Sequence, residues 1–100
     1  MSEFLKPATE APEGVMTHTF FSDPGHGWLE VKATELHELG IAELISGYSY
    51  LNGEMAYLEE DCDLSVFLRA KEARKQVVYY QTVYQDNTPI RYFDSYKVTP

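Results

Sequence analysis

A single cysteine, Cys62, stands in the chain, so no disulfide can close within it. No run of about 18 apolar residues occurs, which leaves no candidate for a membrane-spanning helix. Basic residues are scarce: 8 Lys and Arg face 16 Asp and Glu, for a net charge of −8. A general nucleic-acid binder needs a basic footprint, so direct nucleic-acid binding is not expected. The opening residues MSEFLKPATEAPEG carry acids and prolines where a signal peptide needs a positive start and an apolar stretch, so a cytoplasmic location is expected. No serine sits in a G-x-S-x-G context, and no glycine-rich phosphate loop is present. What the chain does have is 44% hydrophobic and 14% aromatic residues in one hundred, too many for a disordered acidic segment. That is enough for one core and one domain.

The acidity is uneven. Residues 1–65 hold 13 acidic and 2 basic side chains, whereas residues 66–100 hold 3 acidic and 6 basic ones. Only Glu3, Glu10 and Glu13 lie in the first fourteen residues, so the bias belongs to the domain and suggests an acidic face for partners.

Residues 1–14, with Pro7, Pro12 and Gly14 and no apolar period, read as a flexible arm ahead of a single domain at 15–100. Met16 offers an alternative translation start. Residues 17–21 and 27–31 read as a hairpin around Ser22-Asp23-Pro24-Gly25. Residues 34–39 form a short helix, with Gly40 where a left-handed C-cap is wanted and Ile41 packing back. Asn52-Gly53 is a preferred type I′ pair, predicting that Tyr50 faces Met55 and Tyr48 faces Tyr57. Tyr48, Tyr50, Met55 and Tyr57 then share one face, with Leu51, Ala56 and Leu58 on the other. Residues 64–75 read as a helix capped by Asp61 or Asp63, with Arg69, Lys71, Arg74 and Lys75 at its negative end. Residues 77–84 and 90–96 read as a last strand pair. The expectation is an α+β fold of antiparallel hairpins in the order ββ-α-ββ-α-ββ, with two helices packed on one face of the sheet.

Chemistry-bearing clusters are few. Glu59, Glu60, Asp61 and Asp63 are contiguous and lack the alternate spacing and glycine of a calcium loop, so a capped strand-to-helix junction is the plainer reading. Cys62 lies between two aspartates, which disfavour a thiolate. His18, His26 and His37 show no paired ligand spacing, and no metal or cofactor is expected. His26, between two glycines and before Trp28, offers an exposed imidazole for acid–base work or ligand contact, although a plain turn explains the glycines as well. Eight tyrosines are too many to bury by alternation alone, and tyrosine suits protein interfaces.

The runs Asp23-Pro24-Gly25-His26-Gly27-Trp28-Leu29, Leu39-Gly40-Ile41, Ile45-Ser46-Gly47-Tyr48-Ser49-Tyr50 and Tyr57-Leu58-Glu59-Glu60-Asp61-Cys62-Asp63 resemble a family of small uncharacterised phage- and plasmid-encoded proteins. The resemblance spans residues 17–70 and carries no catalytic residues. It implies a mobile-element accessory protein acting on host or defence machinery by binding, in the cytoplasm of a bacterial host cell.

The leading expectation is a non-enzymatic protein that binds a host protein through an acidic, tyrosine-bearing surface. Its candidate residues are Tyr48, Tyr50, Tyr57, Glu54, Glu59, Glu60, His26 and Trp28. One alternative is a nucleic-acid mimic blocking a basic DNA- or RNA-binding protein. Another is a small-ligand binder or enzyme using His26. Exposed edges at 17–21 or 90–96 also invite pairing into a homodimer.

Overall fold

Residues 4–98 are described in the computed structural model. In chain order the elements are β1 (Leu5–Pro7), β2 (His18–Ser22), β3 (Gly27–Lys32), α1 (Ala33–Glu38), β4 (Tyr50–Asn52), β5 (Met55–Glu59), α2 (Leu64–Ala73), β6 (Val78–Tyr84) and β7 (Asp94–Ser95). Short 3-10 turns occupy Ala8–Glu10, Ala42–Leu44 and Pro89–Tyr92. All seven strands join one sheet, ordered β1-β6-β2-β3-β5-β4-β7. The fold is α+β.

Local chemistry explains the elements that form early in the chain. Asp23 turns β2 into β3 by accepting hydrogen bonds from Gly25 N (2.9 Å) and His26 N (2.8 Å). Gly40 takes a φ of +72° at the end of α1, and Ile41 N donates to Leu36 O (2.9 Å). That closure is a Schellman motif, and it brings Ile41 back onto Leu36 in the core.

The β4–β5 hairpin differs in register from the type I′ expectation. Tyr50 faces Tyr57 and Asn52 faces Met55, so Gly53 and Glu54 form the loop. Gly53 alone in that loop has positive φ (+62°), as a type II′ turn requires. The shift moves each partner by two residues, which leaves every side chain on its expected face. Alternation therefore could not distinguish the two registers.

Three further expectations are corrected. Residues 5–7 of the expected flexible arm form β1, a parallel neighbour of β6, with Leu5 opposite Val78. The first three residues of that arm lie outside the described residues. The segment 90–96 does not pair with β6; it forms the Pro89–Tyr92 turn and the two-residue β7, which pairs with β4 at the opposite edge. Tyr96 anchors this route by donating from its hydroxyl to Ala42 O (2.7 Å) and from its backbone N to Ser49 O (2.8 Å). Strand β6 instead runs parallel to β2, so the sheet is mixed rather than built of antiparallel hairpins. The edge argument for a homodimer falls with these corrections: β2 lies inside the sheet, and β7 is too short to template a partner strand.

Both faces of the sheet are covered. Leu29, Val31, Ala56, Leu58 and Val78 bury against Leu36 of α1 and Phe67 of α2. On the other face Trp28, Tyr57 and Ile90 are buried, with Phe21, Tyr50, Met55 and Phe93 packed against them. The two helices cover one face, as expected, while the C-terminal turn covers the second.

His18 sits on the helix-covered face, its ring edge-on to Phe67, with Nδ1–H donating to Glu30 O at 3.2 Å. Burial pushes this imidazole below its ordinary value of 6.5, against the opposing pull of Glu35. Folding thus favours the neutral ring, and the unfolded chain takes up the proton first as pH falls through 6.5. Stability from this group is full above that pH and declines below it. The urea midpoint should fall between about pH 7.5 and about pH 5.5, and His18→Gln should flatten that decline. Equal slopes in the two proteins would refute the assignment.

Candidate functional site

Three chain segments meet at one end of the β3–β5 pair. The first is the Asp23 turn. The buried Asp23 carboxylate also receives Arg91, Nη2 to Oδ1 at 2.9 Å and Nε to Oδ2, which ties the turn to the C-terminal segment. The Arg91 guanidinium beside it holds the Asp23 carboxyl well below the usual carboxylate range. The same guanidinium lies 5.4 Å over the Trp28 ring. This pair stabilises the folded state at neutral pH and loses that effect as acid protonates Asp23.

The second segment is the β5–α2 junction. Glu59 stands opposite Trp28 in the ladder, and Glu60 N extends the pairing by donating to Gly27 O (2.9 Å). The Glu59 side chain is buried, and its Oε2 accepts from Asp61 N (2.9 Å) and Cys62 N (2.8 Å). Its Oε1 lies 3.6 Å from His26 Nδ1. Glu59 therefore shapes the junction turn that Asp61 or Asp63 was expected to cap.

Asp63 does something else. It stands at the N-cap position of α2 without a side-chain bond to the helix. Only 2% exposed, its carboxylate accepts from Ser46 N (2.9 Å), Ser46 Oγ (2.7 Å) and Ser49 Oγ. Ser49 Oγ in turn accepts from Glu59 N (2.9 Å), and Ser46 Oγ accepts from Tyr48 N (3.2 Å). One buried carboxylate thus holds the third segment, residues 46–50, against the acidic junction.

These segments enclose an open cleft of about 410 Å³. His26, Trp28, Tyr48, Tyr50, Glu59 and Asp61 line it, together with Cys62 and Arg91. Tyr48 is 72% exposed, whereas Tyr50 is half-buried and meets the Trp28 ring edge-on at 6.2 Å. His26 lies 6.0 Å from the same indole. Because Arg91 is satisfied by Asp23, the cleft keeps the charges of Glu59 and Asp61 with Glu60 next in sequence. Partial burial and the neighbouring Asp61 and Glu59 push the Glu60 carboxyl up. A hydrogen bond to Glu59, followed by partial burial and the nearby carboxylates, pushes the Cys62 thiol up, which makes it a poor nucleophile near neutral pH.

One feature of the cleft concerns ligands directly. One donor atom from each of His26, Glu59 and Asp61 lies within 4.8 Å of the others, the spacing of groups around a metal ion. Among the described residues, Trp28 Nε1 is the one buried side-chain nitrogen or oxygen without a hydrogen-bond partner. Such an orphaned donor costs about 1–3 kcal/mol.

Of the eight candidate residues, the cleft unites His26, Trp28, Tyr48, Tyr50 and Glu59, with Glu60 adjoining. Glu54 stands at the far end of β5, in the hairpin loop. Tyr57 is not a surface residue: it is 7% exposed, its ring lies tilted against Phe93 at 5.2 Å, and it donates its hydroxyl to Glu30 Oε2 (2.8 Å). That burial pushes its phenol well up. Its correction follows from the C-terminal turn, which covers a face that hairpin alternation alone leaves open.

Sequence reasoning missed Asp23, Asp61 and Arg91 as parts of this site. Asp61 and His26 are distant in sequence and meet only through the β3–β5 register, which ligand-spacing rules within one helix do not address. No protein-family model, curated protein or solved structure matches the chain.

Replacing Asp63 by alanine should destabilise the fold by roughly 2–4 kcal/mol, because the Ser46 and Ser49 donors lose their buried acceptor. Urea denaturation followed by the fluorescence of Trp28 measures this. A loss below about 0.5 kcal/mol, the range of ordinary surface changes, would show that the network carries no weight.

Proposed function

We propose that this chain is a non-enzymatic interaction protein that binds a basic segment of a protein partner, taking an Arg or Lys side chain into the His26–Tyr48–Asp61 cleft. The observation that carries this reading is the convergence of Tyr48 and Tyr50 with Glu59 and Asp61 around one opening. An aromatic wall attracts a cation through its ring quadrupole, and a carboxylate beside it accepts the cation's N–H donors. The net charge of −8 supports association with a basic partner by raising the encounter rate. A phage or plasmid accessory role in a bacterial cytoplasm, implied by the residue pattern, suits a protein that acts by occupying host machinery.

The alternatives gain less support. A nucleic-acid mimic needs carboxylates repeated along a surface, whereas Asp23, Glu35, Glu59 and Asp63 are engaged in internal bonds. For an enzyme using His26, the neighbouring Cys62 thiol, pushed up chiefly by its hydrogen bond to Glu59, is a poor nucleophile.

A hexa-arginine peptide titrated into the protein in the presence of EDTA, with Trp28 fluorescence as the readout, tests the reading. Tyr48→Ala and Asp61→Asn should each weaken binding by about three- to fivefold, the scale of an exposed cation–π contact. Glu54→Gln, at the remote hairpin loop, should leave it unchanged. If Glu54→Gln costs as much as Asp61→Asn, the attraction is diffuse and the cleft is not the site.

A further inference from the structure

We propose that His26, Glu59 and Asp61 form a three-ligand site for a first-row divalent cation of the zinc or cobalt type. This goes beyond the partner reading: it shares Glu59 and Asp61 with it but rests on the spacing of their oxygens from His26. Ligand atoms of the three side chains lie within 4.8 Å of one another, and His26 Nδ1 stands 3.6 Å from Glu59 Oε1. One imidazole nitrogen and two carboxylate oxygens suit zinc, cobalt or nickel, whereas calcium demands six to eight oxygens.

The Glu59 side chain and the His26 backbone are held from outside the set, whereas Asp61 is exposed. The His26 backbone is pinned by Asp23, which Arg91 clamps in turn. Glu59 is buried, and the backbone N–H groups of Asp61 and Cys62 occupy its Oε2, leaving Oε1 as the oxygen nearer His26. Ligands restrained in this way lose little freedom when a cation arrives. Supporting groups that orient metal ligands have the same effect in known sites.

Trp28 stands beside the three donors, opposite Glu59 in the ladder and 6.0 Å from the His26 ring. It is 2% exposed and lines the cleft. Three protein ligands leave at least one coordination position of a tetrahedral cation for water or another oxygen ligand.

The test uses the untagged full chain, stripped with chelator and dialysed. Isothermal titration with zinc chloride should show saturable binding of one ion per chain, weaker binding of manganese and none of calcium. Cobalt should give visible d–d absorption, and Trp28, the only tryptophan, should change its emission on binding. His26→Ala and Asp61→Asn should each lower zinc affinity roughly tenfold or more, with far-ultraviolet circular dichroism verifying their fold. His37→Ala, on the exposed face of α1, should leave it unchanged. Absence of stoichiometric zinc binding overturns the site. So does zinc binding that survives the His26→Ala/Asp61→Asn double variant, or that is abolished by Cys62→Ser while His26→Ala has no effect. No peptide is present in these titrations and no free metal in the peptide experiment, so either reading can fail while the other stands.

Discussion

The antiparallel ladder between β3 and β5 governs both faces of this protein. Leu29 opposite Leu58 and Val31 opposite Ala56 direct four apolar side chains at the helices. The alternate residues, Trp28 opposite Glu59 and Glu30 opposite Tyr57, are sent to the other side. A slip of one residue would exchange the two sets, bringing carboxylates beneath the helices and Leu58 into the cleft. The same ladder sets the glycine-flanked His26 turn beside the acidic run that follows β5. Core and site are therefore consequences of one register.

The acidic surplus has a dual character. Glu59 and Asp63 act as buried acceptors for backbone and hydroxyl donors, and Asp23 and Glu35 pair with Arg91 and Lys71. Glu30 receives the Tyr57 hydroxyl. These five stabilise loops and junctions where neutral side chains would offer fewer lone pairs. Glu38, Glu43, Glu54, Glu60 and Asp61 are exposed, and only the last two border the cleft closely in sequence. A count of charges along the chain mixes the two groups. Structural carboxylates are recognised only by their partners.

Legibility in the sequence followed the range of the interactions. The β2–β3 turn, the Gly40 cap and the existence of the Asn52-Gly53 hairpin could be read because their donors, acceptors and strained φ angles lie within a few residues. The hairpin register could not, since both candidate turns preserve alternation. The parallel pairing of β6 with β2 leaves no local mark: any β-branched and aromatic run satisfies it. Leu5–Pro7 is too short, and too rich in turn-like neighbours, to be recognised as a strand without Val78–Tyr80 beside it. Tyr57 seemed a surface residue because the segment covering it joins that face through Ile90, Phe93 and the Arg91–Asp23 pair, all distant from it in sequence. His26 and Trp28 stood out by their glycines, and Asp61 was named within the acidic run. Their convergence required the ladder.

The parallel edge of the sheet also bears on biosynthesis. Strand β2 pairs on one side with β3, which follows it at once, and on the other with β6, so that His18 faces Tyr80. At translation rates of about 5–20 residues per second, roughly 3–12 s separate the emergence of those two partners from the ribosome. Throughout that interval the nascent hairpin carries an unpaired backbone edge, with Phe20 and Leu29 lacking part of their cover. Strand β6 completes strands made well before it, so a growing chain is exposed to edge association until β6 itself is available to pair.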